Sequence, residues 1–101
     1  TTTGLDMTSI KRMTDRINVA SENPIQQLVF ARILFAVMNE ALWARHDGVA
    51  EEADIDTAMR YGVNYPRGLF EWMDEIGQEL VEETMNSLES MTGEGRFITP
   101  E

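Results

Sequence analysis

The chain has 101 residues, 43% of them hydrophobic, with no cysteine and a formal net charge of −10, which suits one compact domain with its own core and excludes a second folded domain. Disulfides, thiolate nucleophiles and Cys-ligated zinc are ruled out by composition, and the absence of cysteine fits a reducing, cytoplasmic setting. Residues 1–50 carry five acids and five bases whereas residues 51–101 carry thirteen acids and three bases, a field that repels phosphate backbones and makes nucleic acid an unexpected partner.

Thr1-Thr2-Thr3-Gly4 is a polar start without an initiator Met and reads as an engineered end or a cut from a longer chain more than as a natural beginning. No basic-then-apolar leader opens the sequence, and the longest apolar run in its centre, Ile33 to Met38, is too short to span a bilayer, so neither an export signal nor a membrane role is expected. Ile10, Met13 and Ile17 recur at i, i+3 and i+7, which predicts a short amphipathic helix capped by Asp6 or Ser9. Residues 1–22 are read as a lead-in containing that helix, and residues 23–101 as a helical domain. Ser21-Glu22-Asn23-Pro24 is a break in which Asn23 caps the next helix and Pro24 takes its first position, where a missing N–H costs nothing.

That next helix, about Pro24 to Asp47, is the expected structural centre, with Gly48 as the residue that ends it and Val49 available for a hydrophobic contact beyond. At 100° per residue its apolar side chains fill an arc of roughly 200°, about twice the stripe of a surface helix. Only Arg32, Asn39 and His46 form a narrow polar seam, beyond which Val29, Ala36 and Trp43 make another apolar strip. One side of the arc is needed for the domain's own helices. Phe30, Leu34, Val37 and Met38 are therefore the candidates for a second contact, which in isolation would be a two-fold dimer.

A helix from about Glu51 to Tyr61 follows, opened by acids and stopped by Gly62. Tyr65-Pro66 forces an extended residue, and Gly68 allows a close backbone approach in an ordered turn over 62–68. Helices are then predicted over about Leu69 to Ile76, ended by Gly77, and on to about Met91 through Leu80, Val81, Thr84, Met85 and Leu88. In the tail, Phe97 and Ile98 are expected to fold back onto the core. No strand-like alternation appears, so the architecture is all-α, a compact domain of four to five helices.

The chemistry-bearing residues are sparse. His46 sits in the last turn of the central helix, where the dipole stabilises a cation, and is read as structural. Glu51, Glu52, Asp54 and Asp56 suggest a calcium loop, but Met59 and Tyr65 stand where such a loop needs Gly and Glu, so no metal site is predicted. Glu71, Asp74 and Glu75 have nothing converging on them and read as a solvated helix face. Glu40 lies on the wheel between Ile33, Ala36, Val37 and Ala44, and is expected to be at least half buried, stapling the central helix to amides of the Gly62–Tyr65 turn or to Arg67. No Gly-x-Gly-x-x-Gly, phosphate loop or βαβ pattern is present, so no catalytic or cofactor-binding residues are assigned.

Taken in order, Asn39-Glu40-Ala41, Gly48-Val49-Ala50, Asp54 to Met59, Gly62 to Gly68 and Asp74-Glu75-Ile76-Gly77 resemble the C-terminal helical domain of the NAD-dependent 3-hydroxyacyl-CoA dehydrogenases. The resemblance covers roughly Ile25 to Phe97. It implies a parent enzyme in which a separate Rossmann domain binds NAD and carries a catalytic His–Glu pair, while the helical domain closes over the acyl-CoA and supplies most of the subunit interface. Catalytically competent copies resemble Asn-Arg near the start of the central helix, the Asn reaching toward substrate; here Ala31-Arg32 stands there, and a methyl group neither donates nor accepts a hydrogen bond. Val63-Asn64-Tyr65-Pro66 and Gly95-Arg96-Phe97 look more like the second, non-catalytic copy of a duplicated C-terminal region. Leu69 also departs from a family pattern that usually reads Gly-Pro.

The resemblance thus implies a structural or dimerisation domain that is inactive alone, with acyl-CoA reached only through the parent. Its expected partners are a second copy of itself, or the preceding helical copy and Rossmann domain. The alternative is a free-standing helical dimerisation or adaptor module.

Overall fold

In the computed structural model, which describes residues 7–19 and 23–100, five helices follow in order: α1 (Thr8–Arg16), α2 (Pro24–His46), α3 (Glu52–Gly62), α4 (Leu69–Ile76) and α5 (Gln78–Thr92). Among the described residues there is no strand.

The start of α2 is fixed by Asn23, whose Oδ1 accepts the backbone N–H groups of Ile25 (2.9 Å) and Gln26 (3.2 Å), with Pro24 in the first turn. Two of the otherwise orphaned donors of a helix N-terminus are satisfied in this way. The other end of α2 is a Schellman turn: Gly48 has φ +74°, its N–H donates to Arg45 O (3.1 Å), and Val49 N–H donates to Ala44 O (2.9 Å). Val49 does not make the hydrophobic contact expected of it, since it is 77% exposed.

α3 ends at Gly62 as expected, but the left-handed residue of the turn is Asn64 (φ +58°), and Tyr65 N–H reaches back to Met59 O at 3.0 Å. Asn tolerates that region because its short polar side chain relieves part of the steric penalty. Gly77 (φ +96°) closes α4 and opens α5 at a single residue.

The core lies between α1, α2, α4 and α5, with α3 packed on α4. Phe35, Met38, Leu69, Ile76, Leu80, Met85 and Leu88 are almost wholly removed from water, each burial stabilising by about 1.5–3 kcal/mol. α1 belongs to this same core, because Ile10 and Met13 are fully buried in it. The Arg16 guanidinium donates to Ile76 O at the end of α4, satisfying a carbonyl the helix leaves unpaired. Ser9 is not the cap of α1: the N-cap position is Met7, without a side-chain bond, and Ser9 lies within the first turn. Asp6, the other expected cap, lies outside the described residues.

Phe97 folds onto the core as expected and is buried, whereas the Ile98 side chain is 56% exposed. The tail is held there by polar bonds. Glu89 accepts the N–H groups of Gly95 (2.9 Å) and Phe97 (3.2 Å), and Ile98 contributes its carbonyl rather than its side chain to α2.

Candidate functional site

α2 divides into two unlike faces. Ala31, Leu34, Phe35, Met38 and Ala41 point into the core and are buried. On the other side Ile25, Val29 and Ile33, one helical turn apart, are 73%, 51% and 59% exposed, and Arg32 and Glu40 are exposed beside them. A row of apolar side chains left in water along a helix is the usual mark of a surface that something else covers.

This division corrects two expectations. Leu34 and Met38, named as interface candidates, are part of the domain's own core, because α1 packs on this side of α2 together with α4. Phe30 and Val37 are half buried and border the exposed row beside Ile33. The uncovered apolar residues lie on the adjoining sector of the wheel, that of Val29 and Ala36.

Glu40 is the second correction. It is exposed, and among the described residues no hydrogen bond or ion pair joins it to the 62–68 segment. The buried polar staple is its neighbour Asn39. Asn39 Nδ2 donates to Arg96 O (2.6 Å) and Ile98 O (3.0 Å), and Trp43 Nε1, one turn on, donates to the same Ile98 O at 2.9 Å. Helix α2 therefore clamps the C-terminal tail. Asn39 Oδ1 is buried without a partner.

A second polar clamp, missed in the sequence, joins α3 to α4. Asp56 Oδ1 accepts Phe70 N–H (2.9 Å) and Oδ2 accepts Glu71 N–H (3.2 Å), so a residue of α3 caps α4 from outside. Glu71 in turn accepts Gly68 N–H at 2.9 Å and pairs with Arg60 at 3.1 Å. The close approach predicted for Gly68 is to Asp56, whose side chain would overlap a Cβ placed there. In the sequence the signal is Gly68, because Asp56 by itself gives no hint of its partners fourteen and fifteen positions downstream.

The remaining candidates hold structural or surface positions. His46 is exposed, with Nδ1 3.3 Å from Asp47 Oδ1 and its ring edge-on to Trp43 at 5.4 Å. Glu75 pairs with Arg67, and Asp74 is exposed. Among the described residues no group of three His, Asp or Glu side chains is placed to hold a metal.

The Gly93 and Gly95 turn is not shaped as a dinucleotide loop. A dinucleotide needs free backbone amides at a strand-to-helix turn, whereas the Gly93 and Gly95 turn follows a helix and Glu89 already occupies its amides. α2 is long and apolar enough by length and composition to cross a membrane, but its Leu34, Phe35 and Met38 are buried in the core of this domain.

Comparison with known proteins gives a consistent result. The family model for the 3-hydroxyacyl-CoA dehydrogenase C-terminal domain matches residues 28–101. The chain is 44% identical over 66 residues to 3-hydroxyadipyl-CoA dehydrogenase of Escherichia coli, covering 65% of this chain and 14% of that protein. It is 39% identical over 77 residues to 3-hydroxybutyryl-CoA dehydrogenase of Clostridioides difficile, covering 76% of this chain and 27% of that protein. A crystal structure of 3-hydroxybutyryl-CoA dehydrogenase from Escherichia coli superposes with a TM-score of 0.64 at 41% identity, over 69% of this chain and 15% of that one. The chain thus spans only 14–27% of the length of these relatives. With residues 28–101 matching in sequence and most of the chain matching in shape, the chain belongs to the 3-hydroxyacyl-CoA dehydrogenase C-terminal domain family.

Proposed function

We propose that this chain is the helical, non-catalytic part of an NAD-dependent 3-hydroxyacyl-CoA dehydrogenase and works by holding the assembly together. The parent oxidises a 3-hydroxyacyl-CoA to the 3-oxo form with NAD bound to a separate Rossmann domain, in fatty-acid or related acyl-CoA oxidation. Acyl-CoA is met only through that parent. The partners are a second copy of the chain, or the preceding helical copy and the Rossmann domain. Some relatives are named as mitochondrial enzymes, so the compartment, cytoplasmic in this reading, follows the parent rather than the domain.

The observation that carries the reading is Ala31. It stands where the resemblance implies a substrate-facing Asn, and its methyl group is fully buried in the core. A residue so placed has neither a polar group nor access to a reacting atom. Titration calorimetry of NAD into the 101-residue chain tests this directly, with no binding heat expected for the unaltered chain or for Ala31→Asn. Micromolar binding would overturn the reading.

One observation favours the alternative of a free-standing dimerisation or adaptor module. α1 lies before the matched residues 28–101, yet Ile10 and Met13 complete the core, so the domain closes its core with a segment outside the family match. The full coding sequence separates the two readings: an upstream Rossmann fingerprint supports the enzyme domain, and its absence supports the module.

A further inference from the structure

We infer that α1 is a docked ligand of the rest of the domain: α2, α4 and α5 form a groove that recognises a short basic amphipathic helix, and α1, its occupant in cis, leaves that groove while the other helices stay folded. The family match begins at residue 28, so this contact lies outside it and does not depend on the parent reaction.

The two helices on either side of the joint are closed locally. Asn18 has φ +56°, its N–H donates to Asp15 O (3.3 Å), and Val19 N–H donates to Thr14 O (3.0 Å), a Schellman turn that ends α1 on its own residues. α2 is opened by its own cap, Asn23, with Pro24 behind it. Among the described residues, α1 supplies two buried apolar side chains, Ile10 and Met13, whereas α2, α4 and α5 supply thirteen. The larger set keeps a core when α1 is away. A nine-residue helix is too short to persist alone in water, so α1 is helical because the groove holds it.

The contact has the form of a helix laid in a groove. Met7, Ile10, Met13 and Ile17 recur on one side of α1, the inner two fully buried and the outer two half-buried. Thr14 is buried as well, but its hydroxyl donates to Lys11 O at 3.0 Å and asks nothing of the groove. Arg12 and Arg16, one turn apart, make the polar contacts at the rim. Arg12 Nη1 meets Glu83 Oε2 of α5 at 3.1 Å, and Arg16 donates to Ile76 O at the end of α4. Gly77 leaves room for that second arginine, since a Cβ built there would stand 3.1 Å from Arg16 Nη1.

Charge sets the chemistry of the occupant. α1 carries Lys11, Arg12 and Arg16 against Asp15, whereas α5 carries Glu79, Glu82, Glu83 and Glu89 and no base. Ile76 O lies at the negative end of the α4 dipole. A helix with apolar anchors at this spacing and arginines at the two rim positions fits, and an acidic helix of the same pattern is repelled.

The test adds a labelled peptide of residues 7–19 to the 101-residue chain and follows its fluorescence anisotropy. The unaltered chain should bind weakly, because its groove is filled. Ile10→Asp with Met13→Asp disables the helix in cis and should lower the peptide Kd by about tenfold or more. Adding Glu83→Arg should undo the gain, and a peptide carrying Arg12→Glu should recover it. A folded double variant that binds the peptide no better than the unaltered chain overturns the groove. Hydrogen exchange on the unaltered chain needs no variant to fold. The slowest amides of α1 should exchange about tenfold or more faster than the slowest of α5, and added salt, which screens Arg12 from Glu83, should widen the gap. One common rate for both helices would mean that α1 leaves only when the whole domain unfolds, which overturns the docking.

Discussion

Both faces of α2 carry a row of apolar side chains, with opposite fates. Inward, Ala31, Leu34, Phe35, Met38 and Ala41 are buried under α1, α4 and their neighbours; outward, Ile25, Val29 and Ile33 remain in water. A core needs about one stripe of a helix, and an apolar belt that extends well beyond it has a second use. The difference lies in what covers each face, a property of the other helices and of partners rather than of α2.

The largest effects should therefore come from the inward face. Phe35→Ala removes a fully buried ring and should destabilise by about 3–5 kcal/mol in a urea melt. Leu34→Asp should go further and yield an unfolded or aggregated chain, because it puts an unpaired charge into the core. Either substitution tolerated with a native melt would mean that the two faces are exchanged.

Asn39 lies at the edge between the faces, and its loss should have an intermediate effect. Asn39→Ala strips a donor from the carbonyls of Arg96 and Ile98 and should cost about 1–3 kcal/mol. Limited proteolysis should then cut the tail after Gly93 sooner than in the unaltered chain. Asp56→Ala, which uncaps α4 and unties α3, should cost about 1–2 kcal/mol, with hydrogen exchange quickened in α3 and not in α5. α3 has no buried residue of its own, so it depends on that clasp as the core helices do not. At the bottom of the scale, Glu40→Ala should change monomer stability by no more than about 0.5 kcal/mol.

How much of this the sequence shows depends on whether a signal is local. Asn23-Pro24, Gly48 and Gly77 act on their own turns, and the helix limits they set agree with the structure within a residue or so. The four-residue spacing of apolar positions likewise gives the α5 core residues Leu80, Val81, Met85 and Leu88. The family is legible for the same reason, since its pattern of glycines and acids marks successive helix ends.

Three things were not legible. Periodicity cannot choose between faces of a helix that is apolar around most of its circumference, so Leu34 and Met38 read as surface when α1 covers them. Neighbours on the wheel make Glu40 at least half buried, whereas the structure leaves it exposed. The partners of Asn39 and Asp56 are 57 and 14 residues away, and only the fold brings them together.

The exposed row Ile25, Val29 and Ile33 lies outside the domain's own core. Urea denaturation of Ile33→Gln, at a concentration where the chain is monomeric, tests it most directly. Ile33 is 59% exposed, and Gln is a good helix former, so a change within about 0.5 kcal/mol is expected. A loss of more than about 2 kcal/mol under those conditions, the size of a core deletion, would contradict it.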